Sequence, residues 1–198
     1  MGILTNKRVL LGVTGGIAAY KAADLVRRLR EQGATVRVVM TRSAREFITP
    51  LTLEALSGQP VRCELLDVGE ESAMGHIDLA RWSDVVLVAP ASANFMARLA
   101  HGLADDLLAT LCLAADVPVL VAPAMNRQMW INPATQANIQ VLEQRGVRRL
   151  GPGLGEQACG ETGPGRMLEP ADLVQQLAAQ FTGGQLSGLQ VMVTAGPT

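Results

Sequence analysis

Three residues of this chain could do chemistry together: an amide, Asn126, an imidazole, His76, and a thiol, Cys159. Asn126 stands in VLVAPAMNRQMW, Val119 to Trp130, between Met125 and Met129. A neutral amide among soft apolar side chains, just after a buried run that breaks at Pro123, has the character of a ligand site at the carboxyl end of a strand. The same residues also read as a strand followed by a loop with core Met and Trp. Cys159 lies in GPGLGEQACGETGPGRM, Gly151 to Met167, whose six glycines and two prolines argue against regular structure and describe a loop that a ligand can order. Flanked by Ala158 and Gly160, this thiol has no core to pack into, unlike Cys63 or Cys112. His76, in Met74-Gly75-His76-Ile77, falls in a polar segment from Asp67 to Arg81 that reads as a loop before the next strand. An imidazole titrates near neutral pH, as a base must, although a loop histidine is also commonly just solvated. His101, in Ala100-His101-Gly102, reads instead as a helix-end residue.

Elements that could position these groups alternate between strand and helix. Lys7 to Val13 is an apolar run that ends in Thr14-Gly15-Gly16, and Ile17 to Gln32 has helical periodicity, with Ile17, Tyr20, Leu25 and Leu29 available for one face. Strand, glycine turn, helix is the opening of a nucleotide-binding α/β fold, with backbone N–H groups at a helix N-terminus that favour a phosphate. GVTGGIA lacks both the full dinucleotide fingerprint and a Walker lysine, so a purely structural turn fits as well. Thr35 to Met40 is a second strand. It is followed by Thr41, which could reach the same phosphate or cap the next helix, Phe47 to Ser57. Val61 to Leu65 is a possible further strand. Val85 to Ala89 is a buried strand that ends in Pro90-Ala91-Ser92-Ala93-Asn94, again small polar residues at the carboxyl edge. Helices at Asn94 to Ala100 and Asp105 to Ala115, a strand at Val117 to Ala122, a helix at Pro133 to Arg145, a strand at Val147 to Leu150 and a helix at Pro170 to Phe181 complete the pattern. TGGQLSG, Thr182 to Gly188, has linker composition, and Gln190 to Thr194 reads as the first strand of a second α/β domain.

Composition narrows the chemistry. With 48% hydrophobic and 18% charged residues and a formal net charge of -1, the chain is that of a globular protein with no basic face for nucleic acid. No apolar run reaches the length of a membrane span and no signal peptide precedes the first strand, so a cytoplasmic location is expected. Three widely separated cysteines imply neither a disulfide framework nor a metal cluster. Lysine occurs only at Lys7 and Lys21, which argues against a pyridoxal-type Schiff base.

Taken together, GVTGGIAAYK at Gly12 to Lys21, the pair Gly75-His76, APASANF at Ala89 to Phe95, PAMNRQMW at Pro123 to Trp130 and QACGETGPGRM at Gln157 to Met167 resemble the homo-oligomeric flavin-containing cysteine decarboxylases. Within that family the resemblance is to the phosphopantothenoylcysteine decarboxylase half of the bacterial bifunctional coenzyme A biosynthesis flavoproteins. It implies a flavodoxin-like, Rossmann-type three-layer sandwich with a parallel sheet. The FMN-binding decarboxylase domain would span 1–181, and 182–198 would be a linker and the first strand of a fused ligase domain. The implied assembly is a homo-oligomer, a trimer or a dodecamer arranged from trimers, with sites between subunits. In the catalytic roles, His76 resembles the family's base, Asn126 the asparagine that holds the substrate carboxylate, and Cys159 the flap cysteine that donates a proton. Gly15, Gly16, Thr41, Ser92, Asn94 and Ala124 fall at or near FMN-contacting positions, and Met125 and Ala158 join Asn126 at the substrate.

The implied reaction is FMN-dependent loss of CO2 from 4'-phosphopantothenoyl-L-cysteine. A cysteine carboxylate cannot leave directly, because the resulting carbanion has nowhere to delocalise. Oxidation of the thiol-bearing carbon to a thioaldehyde first creates the sink, and the ene-thiol formed on decarboxylation is then reduced. Other readings are a flavodoxin-like electron carrier, a flavin prenyltransferase or a peptide cysteine decarboxylase. Electron carriers are usually strongly acidic, with aromatics over the flavin, whereas aromatics make up only 3% of this chain.

Overall fold

The computed structural model describes residues 2–65, 75–157 and 160–182, with His76 as backbone only. Ala158, Cys159 and the expected linker and strand after Thr182 lie outside the described residues. In chain order the elements are β1 (Arg8–Val13), α1 (Lys21–Glu31), β2 (Thr35–Met40), α2 (Pro50–Ser57), α3 (Gly75–Trp82), β3 (Val85–Ala91), α4 (Ala93–Ala100) and α5 (Leu107–Ala114). They continue with β4 (Val119–Pro123), α6 (Arg127–Ile131), α7 (Pro133–Gln144), β5 (Arg148–Arg149), β6 (Gly153–Glu156), β7 (Thr162–Arg166) and α8 (Pro170–Thr182).

Five strands form one parallel sheet in the order β2-β1-β3-β4-β5, the flavodoxin-like order. Side chains alternate across it, as the two-residue period of a strand requires. Val9, Leu11, Leu87 and Leu120 face a core shared with Leu25 and Leu29 of α1, Leu53 of α2 and Leu173 and Leu177 of α8. Leu10, Val86, Val88 and Val121 face a second core with Phe95, Met96, Leu108, Leu111 and Leu142 from α4, α5 and α7. The result is the expected three-layer sandwich. Gly12 keeps one strand close to its helix, because a Cβ there would lie 2.5 Å from Leu108 Cδ1. Cys112 is buried in the second core, and burial pushes its thiol up to about 12. Among the described residues no helix is long and apolar enough to cross a membrane.

Five expectations need correction. Gly151 to Met167 is not irregular: β6 and β7 pair antiparallel as a hairpin, because positive-φ glycines such as Gly155 and Gly165 supply backbone conformations that ordinary strand residues disfavour. His76 belongs to helix α3 rather than to a loop; Leu79 and Ala80 on the same helix are buried, so tertiary packing decides its conformation. Val61–Leu65 contributes only an isolated parallel bridge between Val39 and Arg62. The first helix opens as a 3-10 turn, Ile17–Tyr20, and Ile17 and Tyr20 are exposed rather than on its core face. The second helix starts at Pro50, which suits a first helical position, and leaves Phe47 outside it and exposed.

Candidate functional site

Where the strand order reverses, β1 and β3 are followed by helices on opposite faces of the sheet, and a crevice opens between the loops at their carboxyl ends. Thr14 ties the two ends together. Its hydroxyl donates to the Pro90 carbonyl (2.8 Å) and accepts from the Ser92 N–H (2.9 Å), and the residue is buried. Beyond this tie lies a cavity of about 750 Å³, within the usual range for a small-molecule site.

Glycine forms the first wall. A Cβ on Gly15 would lie 2.5 Å from Ser43 Oγ and 2.9 Å from the Ser43 carbonyl carbon, so only glycine permits this close turn. A Cβ on Gly16 would meet no protein atom within 4 Å, and Gly16 lines the cavity, so a side chain there would occupy ligand space. Ser92 and Asn94 form a second wall, Ser92 capping α4 by accepting from the Phe95 N–H at 3.2 Å. Ala124, Met125, Asn126 and Met129 form the third. Thr41 differs from the other expected contacts. It is buried, with its hydroxyl 3.5 Å from the Val13 carbonyl and 3.3 Å from Ser43 Oγ, and it makes no side-chain cap. Ser43 is the hydroxyl that lines the cavity.

The hairpin covers the third wall. The Met125 N–H donates to the Gly165 carbonyl (2.9 Å), and a Cβ on Gly165 would stand 2.4 Å from the Met125 carbonyl oxygen. Gln157 strengthens the contact: its Oε1 accepts from the Arg127 N–H (2.9 Å) and its Nε2 donates to the Pro164 carbonyl (3.0 Å). Asn126 is oriented from both sides. Its Oδ1 caps α6 by accepting from the Gln128 N–H (2.7 Å), which turns Nδ2 toward Glu161 Oε2 on the hairpin (2.8 Å). The expected convergence of the Asn126 segment with the glycine-rich segment is therefore present, and its loop reading gives way to a short helix that Asn126 caps. Gly75 and His76 reach the fold on α3, which packs against α5.

At the cavity floor Lys21 is buried, its Nζ 2.8 Å from Glu169 Oε1 and 3.4 Å from the Met167 carbonyl. Arg166 Nη2 holds the same carboxylate oxygen at 2.8 Å. The Lys21 ammonium, with help from Arg166 and against a partial burial effect, keeps the Glu169 carboxyl below its ordinary range. Sequence reading gave Thr14, Ser43, Gln157 and Glu161 no site role, and used Lys21 to argue against a pyridoxal enzyme and as the end of the GVTGGIAAYK motif. One signal for Lys21 was available: a cation in the first turn of a helix opposes the helix dipole and calls for a local carboxylate.

Glycine backbone on the first wall, small Ser92 and Ala93 on the second, and apolar Ile17, Met125 and Met129 fit a flat aromatic cofactor bearing a phosphate. The sequence model of a family described as Flavoprotein matches residues 2–182. This chain belongs to that flavoprotein family. It is 57% identical over 198 residues to the coenzyme A biosynthesis bifunctional protein CoaBC of Vibrio vulnificus, covering 100% of this chain and 49% of the relative. The chain thus spans about half the length of the curated relatives it matches. Among solved structures, a cysteine-to-serine mutant of PPC decarboxylase complexed with pantothenoylaminoethenethiol superposes with a TM-score of 0.78 at 34% identity, over 89% of this chain and 99% of that one. The FMN-dependent cysteine decarboxylase SpaF does so with a TM-score of 0.75, at 34% identity and the same coverage. In this flavoprotein the matched span ends with α8.

Proposed function

We propose that the chain catalyses the FMN-dependent decarboxylation of 4'-phosphopantothenoyl-L-cysteine to 4'-phosphopantetheine and CO2, as a carboxy-lyase of coenzyme A biosynthesis. The observation that carries this reading is the cavity-lining Asn126 amide, fixed by its Gln128 cap so that its N–H face is turned to a carboxylate, here that of Glu161. In this reading Gly15, Gly16, Ser92, Asn94 and Ala124 would hold FMN, with Ser43 lining the cavity beside Thr41. Bound there, a flavin would supply the reversible two-electron chemistry that the thiol-bearing carbon requires.

The chain's own groups supply the rest. Asn126 orients the substrate carboxylate through neutral N–H donors, which hold it without the ion pair that would stabilise the ground state against CO2 loss. His76 takes the thiol proton, and Cys159 gives a proton to the ene-thiol in the closing step, with Met125 and Ala158 beside the substrate. The substrate passes through a thioaldehyde, loses CO2 to give an ene-thiolate and ends as the saturated aminoethanethiol, so the reaction is redox-neutral. We place it in the cytoplasm, in a homo-oligomer built from trimers, and, by the half-length match to the bifunctional relatives, beside a fused ligase domain after 181.

The test is a visible spectrum of the purified protein followed by CO2 measurement on addition of 4'-phosphopantothenoyl-L-cysteine. Yellow protein releasing CO2 is expected; protein that cannot be reconstituted with FMN would sink the reading. Cys159→Ser should still release CO2 but accumulate the ene-thiol. Normal 4'-phosphopantetheine at the wild-type rate would remove Cys159 from the proton-donor role.

A further inference from the structure

We infer that Glu161 is a positioning residue whose carboxylate occupies the place of the substrate carboxylate on Asn126 and is exchanged for it during turnover. This rests on the proposed decarboxylase reading. The Asn126 Nδ2 donates to Glu161 Oε2 at 2.8 Å, and the cap to the Gln128 N–H leaves the amide no freedom to turn its oxygen to that side. A substrate carboxylate arriving at the same nitrogen meets an anion already there. Nδ2 carries two N–H donors, but two carboxylates held on one nitrogen repel, so the arriving group competes with the resident one.

Displacement needs only a side-chain rotation. Glu161 is exposed, and its backbone stays pinned because its carbonyl accepts from the Gln157 N–H at 2.8 Å. Gln157 is itself anchored to the Arg127 N–H and the Pro164 carbonyl, so the hairpin remains docked while the Glu161 side chain swings away. Once the substrate carboxylate leaves as neutral CO2, Nδ2 loses that partner and Glu161 returns to it. The exchange weakens binding of the carboxylate in the ground state and restores a satisfied amide after its loss, which is the differential binding that favours reaction. It also distinguishes a carboxylate-bearing ligand from the decarboxylated product at one atom.

The experiment compares FMN-loaded wild-type protein with Glu161→Gln and Glu161→Ala. Two quantities are read: KM for 4'-phosphopantothenoyl-L-cysteine, and the dissociation constant of 4'-phosphopantetheine by calorimetry. A neutral competitor holds Asn126 more weakly than an anion, so KM should fall about threefold in Glu161→Gln and about tenfold in Glu161→Ala. Product affinity should stay within about twofold, because the product carries no carboxylate to compete. A merely structural role in holding the hairpin would instead raise KM and weaken product binding together, in proportion to any lowering of Tm, and would overturn the inference. An unchanged KM in both variants overturns it as well. Wild-type protein that binds FMN but releases no CO2 would overturn the decarboxylase reading and the inference with it. Wild-type turnover with unmoved variants would overturn the inference alone.

Discussion

At Asn126 one side chain has two structural duties and one chemical one. Its oxygen caps α6, and its nitrogen faces the hairpin and, in the proposed reaction, the substrate. Asn126→Asp separates them. Aspartate caps a helix as well as asparagine does, and the contact it loses is to the exposed Glu161, so the thermal midpoint should fall only slightly. The donor, however, becomes an anion facing Glu161 and the substrate carboxylate, and kcat/KM should fall by about 100-fold or more in a CO2-release assay. Cys112 offers a contrast at the same scale. With its thiol pushed up to about 12 by burial, it should resist alkylation in native protein at pH 8 and react only on unfolding, which mass spectrometry after iodoacetamide treatment would check.

Elements position these residues through close backbone approach. The turn after β4 and strand β7 meet where Gly165 lies against Met125, at φ +127°, a region that side chains disfavour. Gly165→Ala would drive a Cβ into the Met125 carbonyl as well as straining the backbone, and should cost about 2 kcal/mol or more, read as a lowered urea midpoint. The same variant should lose FMN more readily, because the hairpin no longer closes the third wall; unchanged flavin retention on gel filtration would show that the hairpin does not help hold the cofactor. Helices and strands with a clear period were legible from sequence alone, as in β2, α7 and α8. The hairpin was not, because six glycines in seventeen positions signal irregularity to any local rule, yet here they permit strands that approach another loop. Helix α3 was missed because it is only eight residues long and closes a largely polar segment, where the burial of Leu79 and Ala80 supports it.

Across the whole molecule, Asp24, Asp84, Asp105 and Glu169 are all held below the usual carboxyl range, chiefly by Arg27, Arg8, Arg98 and Lys21 respectively. A depressed folded-state value means that the unfolded chain binds more protons. Their contribution is therefore complete above about pH 4 to 5 and is lost as pH falls through the lower folded values. The denaturant midpoint should decline below about pH 4, and Glu169→Gln should show a shallower decline there; an identical acid profile would show that the Lys21 pair adds nothing to stability. Sequence by itself determined the alternation of strand and helix, the glycine turn, the amide between methionines and the resemblance to flavin-containing decarboxylases, because periodicity, turn chemistry and short motifs are local properties of the chain. Tertiary structure alone decided that Thr14 ties β1 to β3, that Lys21 is buried against Glu169, and that Glu161 meets Asn126. Those pairs join residues 35 to 148 positions apart, and no local pattern encodes a contact that exists only after the sheet has brought distant loops to one edge.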